Sequence, residues 1–206
     1  MQRRQFTTRL VTTTALWTLA SGAQAADLSE FDASSGVRAA LERGARSAVG
    51  LLGKTDGFLG NPKVRIPLPG FLADAAKLLK ATGQQKRVDE LLTAMNRAAE
   101  AAVPQAQDLL IDAVKSMSVE DARKLITGGD NSVTQFFADK TRVPLGEKFL
   151  PIVTKATQKV SLAEKYNAVA GKAMGFGLVK KEDANIQQYV TAKALDGLYL
   201  MIGEEE

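Results

Sequence analysis

Lys193 and Asp196 stand three residues apart in an apolar stretch near the end of the chain, within ion-pairing reach if that stretch is helical. On a helix, Ile186, Tyr189, Val190, Lys193 and Gly197 share one face, which places the lysine among apolar residues. A buried, charge-paired amine has a shifted pKa and can act as a base or form a Schiff base. The plainer reading lays the lysine stem over apolar surface with its head in water. A second group is Asn96 and Glu100, neighbours at i and i+4 on the edge of an apolar stripe centred on Met95. They either line a groove or make an interhelical hydrogen bond, with Arg97 turned to solvent. The third lies in GKTDGFLGNPKVRIPLPG, residues 53–70, where Arg65 beside Asp56 and Asn61 could offer a guanidinium fork to a carboxylate or phosphate. Its structural alternative pairs Arg65 with an acid at the core edge, with Gly60 and Gly70 supplying unusual dihedrals.

The residues that are missing narrow the chemistry further. The 206-residue chain has no histidine and no cysteine. It therefore lacks the commonest general base near neutral pH, the thiolate nucleophile and disulfides. Zinc sites built on nitrogen and sulfur are excluded. Oxygen-ligand metals would remain, but no EF-hand spacing of carboxylates occurs. No cofactor is called for.

The opening, MQRRQFTTRLVTTTALWTLASGAQA, has the three parts of a cleavable export signal. Arg3, Arg4 and Arg9 form a basic start, Leu10 to Ala20 an apolar middle, and Ala23 and Ala25 flank the scissile region. The apolar middle is too short to cross a hydrocarbon layer about 30 Å thick. Arg3-Arg4 followed by Gln5 and Phe6 resembles the twin-arginine pattern, with departures at Thr7 and Thr8. An ordinary Sec signal carrying two arginines is the alternative. The expected organisation is a signal over 1–25, a short lead over 26–35 and one helical domain over 36–206, located in the periplasm.

Removing that segment changes the charge argument. It carries three of the 27 basic residues and no acid, leaving 24 basic against 23 acidic side chains. A nearly neutral domain exerts no long-range pull on nucleic acid or anionic membrane. Lys77, Lys80, Lys86 and Arg87 form a small basic cluster without an aromatic platform, so no nucleic-acid partner is expected.

The elements that must position the candidate residues are helical. Val37, Leu41, Ala45, Ala48, Val49 and Leu52 make the stripe of a first helix starting near Ser34 or Ser35. Three prolines and four glycines keep 53–70 out of helix, and alternating Val64, Ile66 and Leu68 predict a short extended piece. Helices follow over 71–81 and 85–102. Another has Pro104 at its start, and the next is opened by Ser118 with Asp121 as a capping box and ended by Gly128-Gly129. A short helix with Val133, Phe136 and Phe137, a separate one after Pro144, one over 162–174 and a last one over 184–203 complete the chain. Gly171 and Gly175 suggest tight packing, then a helix end. The fold class is all-α, a single-domain bundle of about eight or nine helices with one irregular Pro/Gly-rich loop.

Several strings carry a resemblance: DGFLGNPKVRIPLP, MNRAAEAAVP, GGDNSVTQFF, KYNAVAGKAMGFGLV and YVTAKALDGLYLMIGEEE. Together, from about Leu41 to the end, they resemble the exported bacterial family of unknown function numbered 4197. The resemblance implies an all-helical exported domain and supplies no catalytic residues. Many of its members look like lipoproteins, but Ala26 stands here where they have a cysteine.

The function expected from these residues is a non-catalytic periplasmic module binding an apolar or amphiphilic ligand (a lipid or apolar small molecule) or a protein partner. Two alternatives stand beside it. One is an envelope hydrolase or transferase using carboxylates, Lys193 or a tyrosine; the other is a structural module of an envelope complex.

Overall fold

The computed structural model describes residues 21–176 and 183–204. Arg3, Arg4 and Phe6 lie outside them, as does the apolar stretch before Ser21. The described residues form helices α1 (Ser21–Leu52), α2 (Gly70–Ala81), α3 (Gln85–Ala102), α4 (Gln107–Lys115), α5 (Val119–Thr127), α6 (Ser132–Thr157), α7 (Ser161–Gly175) and α8 (Ile186–Glu204). A 3-10 turn, Val103–Ala106, joins α3 to α4 and holds Pro104 in its first turn. There is no strand among them.

The bundle is organised around α8. Eleven of its residues are buried, from Ile186 to Ile202, and they point to nearly every side of the helix. Past its first turn, the exposed side chains Lys193, Asp196, Leu200 and Glu204 form one narrow strip. α6, α1 and α3 pack around α8. α3 supplies its expected stripe: Val88, Leu91, Met95, Ala98, Ala99 and Ala102 are all buried. α1 supplies Leu41, Ala45, Ala48, Val49 and Leu52. These side chains belong to one continuous core, which makes the described chain a single helical domain.

Two helix boundaries differ from those predicted. α1 already runs through Ser21, the first described residue, so Ser34 is a buried interior residue and not a cap. The preceding residues, Ala-rich and free of proline and of glycine after Gly22, have enough helix propensity to carry the helix backward through Ala23 and Ala25. α6 is one helix of 26 residues, although Pro144 and Pro151 lie inside it. An interior proline costs about 3 kcal/mol. Against that, Phe137, Leu145, Phe149 and Val153 are all fully buried, each worth about 1.5–3 kcal/mol. Burial wins, and the helix stays intact.

The burial pattern of α6 also has a geometric cause. Val133, Phe137, Thr141, Leu145, Phe149, Val153 and Thr157 are buried at a strict four-residue spacing. Four residues advance about 400° around an α-helix, so this line drifts by about 40° per step and wraps around α6. α8, α3, α4 and α5 all pack against α6. A pattern that winds in this way shows no single apolar face.

The loop over 53–69 is not a strand, yet the predicted alternation is there: Val64 and Ile66 are buried while Lys63, Arg65 and Pro67 are exposed. Its left-handed residue is Asp56, at φ 65°, in place of the expected Gly60 and Gly70. Gly57 is required for space, since a Cβ there would lie 2.4 Å from the Leu52 carbonyl oxygen. Gly171 shows the reverse: a Cβ on it would meet nothing, so the tight packing expected at Gly171-x-x-x-Gly175 is absent. The helix end at Gly175 is present. Close packing occurs at Gly197 instead, against Phe58 and Val64.

Candidate functional site

Six of the eight candidate binding residues converge on the loop over 53–69. Glu100 is buried at the C-terminal end of α3, and its Oε1 accepts hydrogen bonds from the Phe58 and Leu59 N–H groups, each at 3.0 Å. Its other oxygen takes Arg97 Nη1 at 2.7 Å. Arg97 Nη2 reaches Asp56 Oδ1 at 2.8 Å, so this arginine is an ion-pair bridge and not the solvated side chain expected. One turn earlier, Asn96 Oδ1 accepts the Ile66 N–H at 2.8 Å and Asn96 Nδ2 donates to the Ile66 carbonyl at 3.0 Å. A carboxamide thus does for Ile66 what a neighbouring strand would do. Asn61 Oδ1 accepts the Lys63 N–H, and the Tyr189 hydroxyl donates to the Pro67 carbonyl at 3.1 Å.

Arg65 is exposed on this loop and has no ion-pair partner among the described residues. It borders an open cavity of about 560 Å³ with Pro67, Leu68, Ala76, Lys80 and Leu92. Asp56 and Asn61, by contrast, are engaged with Arg97 and with the Lys63 N–H.

Lys193 and Asp196 lie apart from that cluster. Asp196 Oδ1 accepts Arg142 Nη2 at 2.8 Å, and Lys193 Nζ is 3.6 Å from Asp196 Oδ2. The Arg142 guanidinium also sits 5.3 Å from the centre of the Tyr199 ring. Lys193 is exposed, which fits the reading with its head in water and not the enclosed, charge-paired amine. Because α8 buries so many directions, the polar side chains had only one strip left to occupy. Arg142, Leu150, Tyr189, Lys193 and Asp196 line a cavity of about 460 Å³ between α6 and α8.

The tyrosines are poor proton carriers. Burial pushes both Tyr166 and Tyr189 up to about 12, with the nearby Asp183 carboxylate adding to the shift. At that value only about one molecule in 10⁵ holds a tyrosinate at pH 7. Tyr199 is raised as well, again by burial. No cluster of three or more acidic side chains able to hold a metal ion occurs among the described residues.

A different feature, absent from the candidates read in the sequence, is an apolar groove between α2 and α7. Leu72, Leu78 and Leu79 line one wall; Leu162, Tyr166 and Val169 line the other. The groove has a volume of about 460 Å³, within the usual range for small-molecule sites. Leu78 is 72% exposed and Val169 50% exposed, so two large apolar side chains stand in water at its rim. The Tyr166 hydroxyl is turned away, donating to the Asp183 carbonyl. Lys165 is the one charged residue of the lining. The walls lie some ninety residues apart in the chain, and only packing joins them. The adjacent Leu78 and Leu79, one exposed and one packed on the core, were the available sign of an apolar arc wider than one contact.

Comparison with known proteins adds a family. The sequence profile of the family described as "Protein of unknown function (DUF4197)" matches residues 27–206. No curated protein and no solved structure matches the chain.

Proposed function

We propose that this chain, which belongs to the DUF4197 family of proteins of unknown function, is a non-catalytic periplasmic module that holds the apolar part of an amphiphilic small molecule between α2 and α7. The observation that carries this reading is the open groove with Leu78 and Val169 exposed at its rim. Leaving such side chains half or more in water forgoes part of the about 1.5–3 kcal/mol that full burial of each would supply, and a bound alkyl chain would recover some of that. The signal-like opening supports the periplasmic address, as does a family match that starts at Asp27, just past the Ala25 junction. No helix among the described residues is long and apolar enough to cross a membrane.

The enzyme reading has less to stand on. Glu100 and Asp196 are each bonded to an arginine, and the tyrosine hydroxyls of Tyr166 and Tyr189 ionise only near 12.

Calorimetric titration of the purified protein with decyl maltoside below its micelle concentration tests the groove. Leu78→Asp and Val169→Asp, both at exposed positions, should abolish binding with the helical circular dichroism unchanged. Wild-type binding that survives both substitutions would remove the groove from consideration. For the address, Arg3→Lys with Arg4→Lys should block processing; unchanged export would assign the Sec route.

A further inference from the structure

The one charge in the lining of the groove is positive, with the Asp183 carboxylate near Tyr166 but outside that lining. On α7, Leu162 and Val169 are seven residues apart, and Phe176, just past the helix end and 82% exposed, is seven further on. Seven residues come within about 20° of two full turns, so Leu162 and Val169 lie on one apolar line along α7, and Phe176 follows its last residue as a further exposed apolar side chain. Lys165 and Lys172 repeat the same spacing beside that line. Both lysines are free of ion pairs among the described residues, and Lys165 is exposed at the groove itself. No acid lines the groove. Glu164, its neighbour in sequence, lies about 100° around α7 from Lys165. The single acid of α2, Asp74, is held by Lys77 at 2.9 Å.

We infer that the groove between α2 and α7 takes an amphiphile with an anionic head, its alkyl chain lying along Leu78, Val169 and Phe176 and its head held by Lys165 and Lys172. This rests on the groove reading above and names the class of ligand within it. Exposed charge pairs contribute modestly, so the head selects among amphiphiles while the chain supplies most of the attraction.

Three probes with the same ten-carbon chain separate the ideas: decanoate, decyl maltoside and decyltrimethylammonium, each titrated as monomer. Decanoate should bind about fivefold more tightly than decyltrimethylammonium at low salt, with the gap narrowing as salt is raised. Lys165→Glu, at an exposed position, should reverse that order between the two charged probes. Equal affinity for the two charged probes would overturn the anionic head and leave the groove reading standing. Failure of all three to bind would remove both. Adsorption to vesicles of phosphatidylcholine and phosphatidylglycerol without uptake of decanoate monomers would overturn the inference in favour of a membrane-facing surface.

Discussion

The side-chain amide of Asn96 closes both backbone hydrogen bonds of Ile66, accepting from its N–H at 2.8 Å and donating to its carbonyl at 3.0 Å. Both residues are buried, so water cannot replace either bond. Asn96→Ala should therefore cost about 2–4 kcal/mol, since each buried group left without a partner costs about 1–3 kcal/mol. Urea denaturation followed by circular dichroism measures this directly. A loss below about 1 kcal/mol would mean that the loop re-forms its bonds elsewhere.

Glu100 holds the same loop through charge. Two N–H groups, from Phe58 and Leu59, and one guanidinium meet its carboxylate. Glu100→Gln keeps an oxygen for the amides and loses the charged bond to Arg97, a change of about 1–2 kcal/mol. Glu100→Ala strands the amides as well and should cost about 2–4 kcal/mol. Denaturation midpoints of the two variants should fall in that order, and the reverse order would show that a carboxamide facing Arg97 is worse than no side chain there.

Much of this was legible before folding. α3 begins at Gln85 and ends at Ala102 as predicted, because its apolar residues keep a steady helical period on one face. The Ser118–Asp121 capping box is present with both of its hydrogen bonds, because capping is local. α6 was split in prediction at Pro144 because a proline is read locally, whereas the burial that holds the helix together comes from α3, α4 and α8. The sequence leaves Lys193 between two readings for a related reason: in a helix buried nearly all round, apolar neighbours no longer identify the inner face. Asn96 and Glu100 stood out as polar residues beside an apolar stripe, but the loop they hold lies 30 and about 40 residues away. The groove between α2 and α7 left almost no trace, since each wall taken alone is an ordinary amphipathic helix.

Gly197 is where α8 meets the loop most closely. A Cβ there would lie 3.1 Å from both Phe58 Cε1 and Val64 Cβ. Alanine gains about 1 kcal/mol over glycine inside a helix, while forcing a methyl into a filled core costs about 1–3 kcal/mol. Phe58 is fully buried and has nowhere to move, so the steric cost should win. Gly197→Ala should lower stability by about 1 kcal/mol. Gly146, inside α6 with nothing near its Cβ position, is the control, and Gly146→Ala should raise stability by about 0.5–1 kcal/mol. Thermal melts of both variants test the contrast, which disappears if α8 can slide away from Phe58.

Tyr166 and Tyr189 set the alkaline limit of the fold. Both are raised from 10.0 to about 12, first by burial and then by the nearby Asp183 carboxylate. In the unfolded chain they ionise near 10, so the folded state holds the phenolic protons more tightly. Their contribution is complete below pH 10 and declines as pH rises from 10 through 12, because the unfolded state gains by ionising first. Absorbance at the tyrosinate band should stay flat up to about pH 11 and then rise together with the loss of helical circular dichroism. Asp183→Asn removes the neighbouring negative charge while leaving its carbonyl to accept from Tyr166, so it should shift the tyrosinate rise to lower pH. Titration of two tyrosines near pH 10 in the folded protein would show that their hydroxyls reach water, and with it that the floor of the groove beside Tyr166 is open.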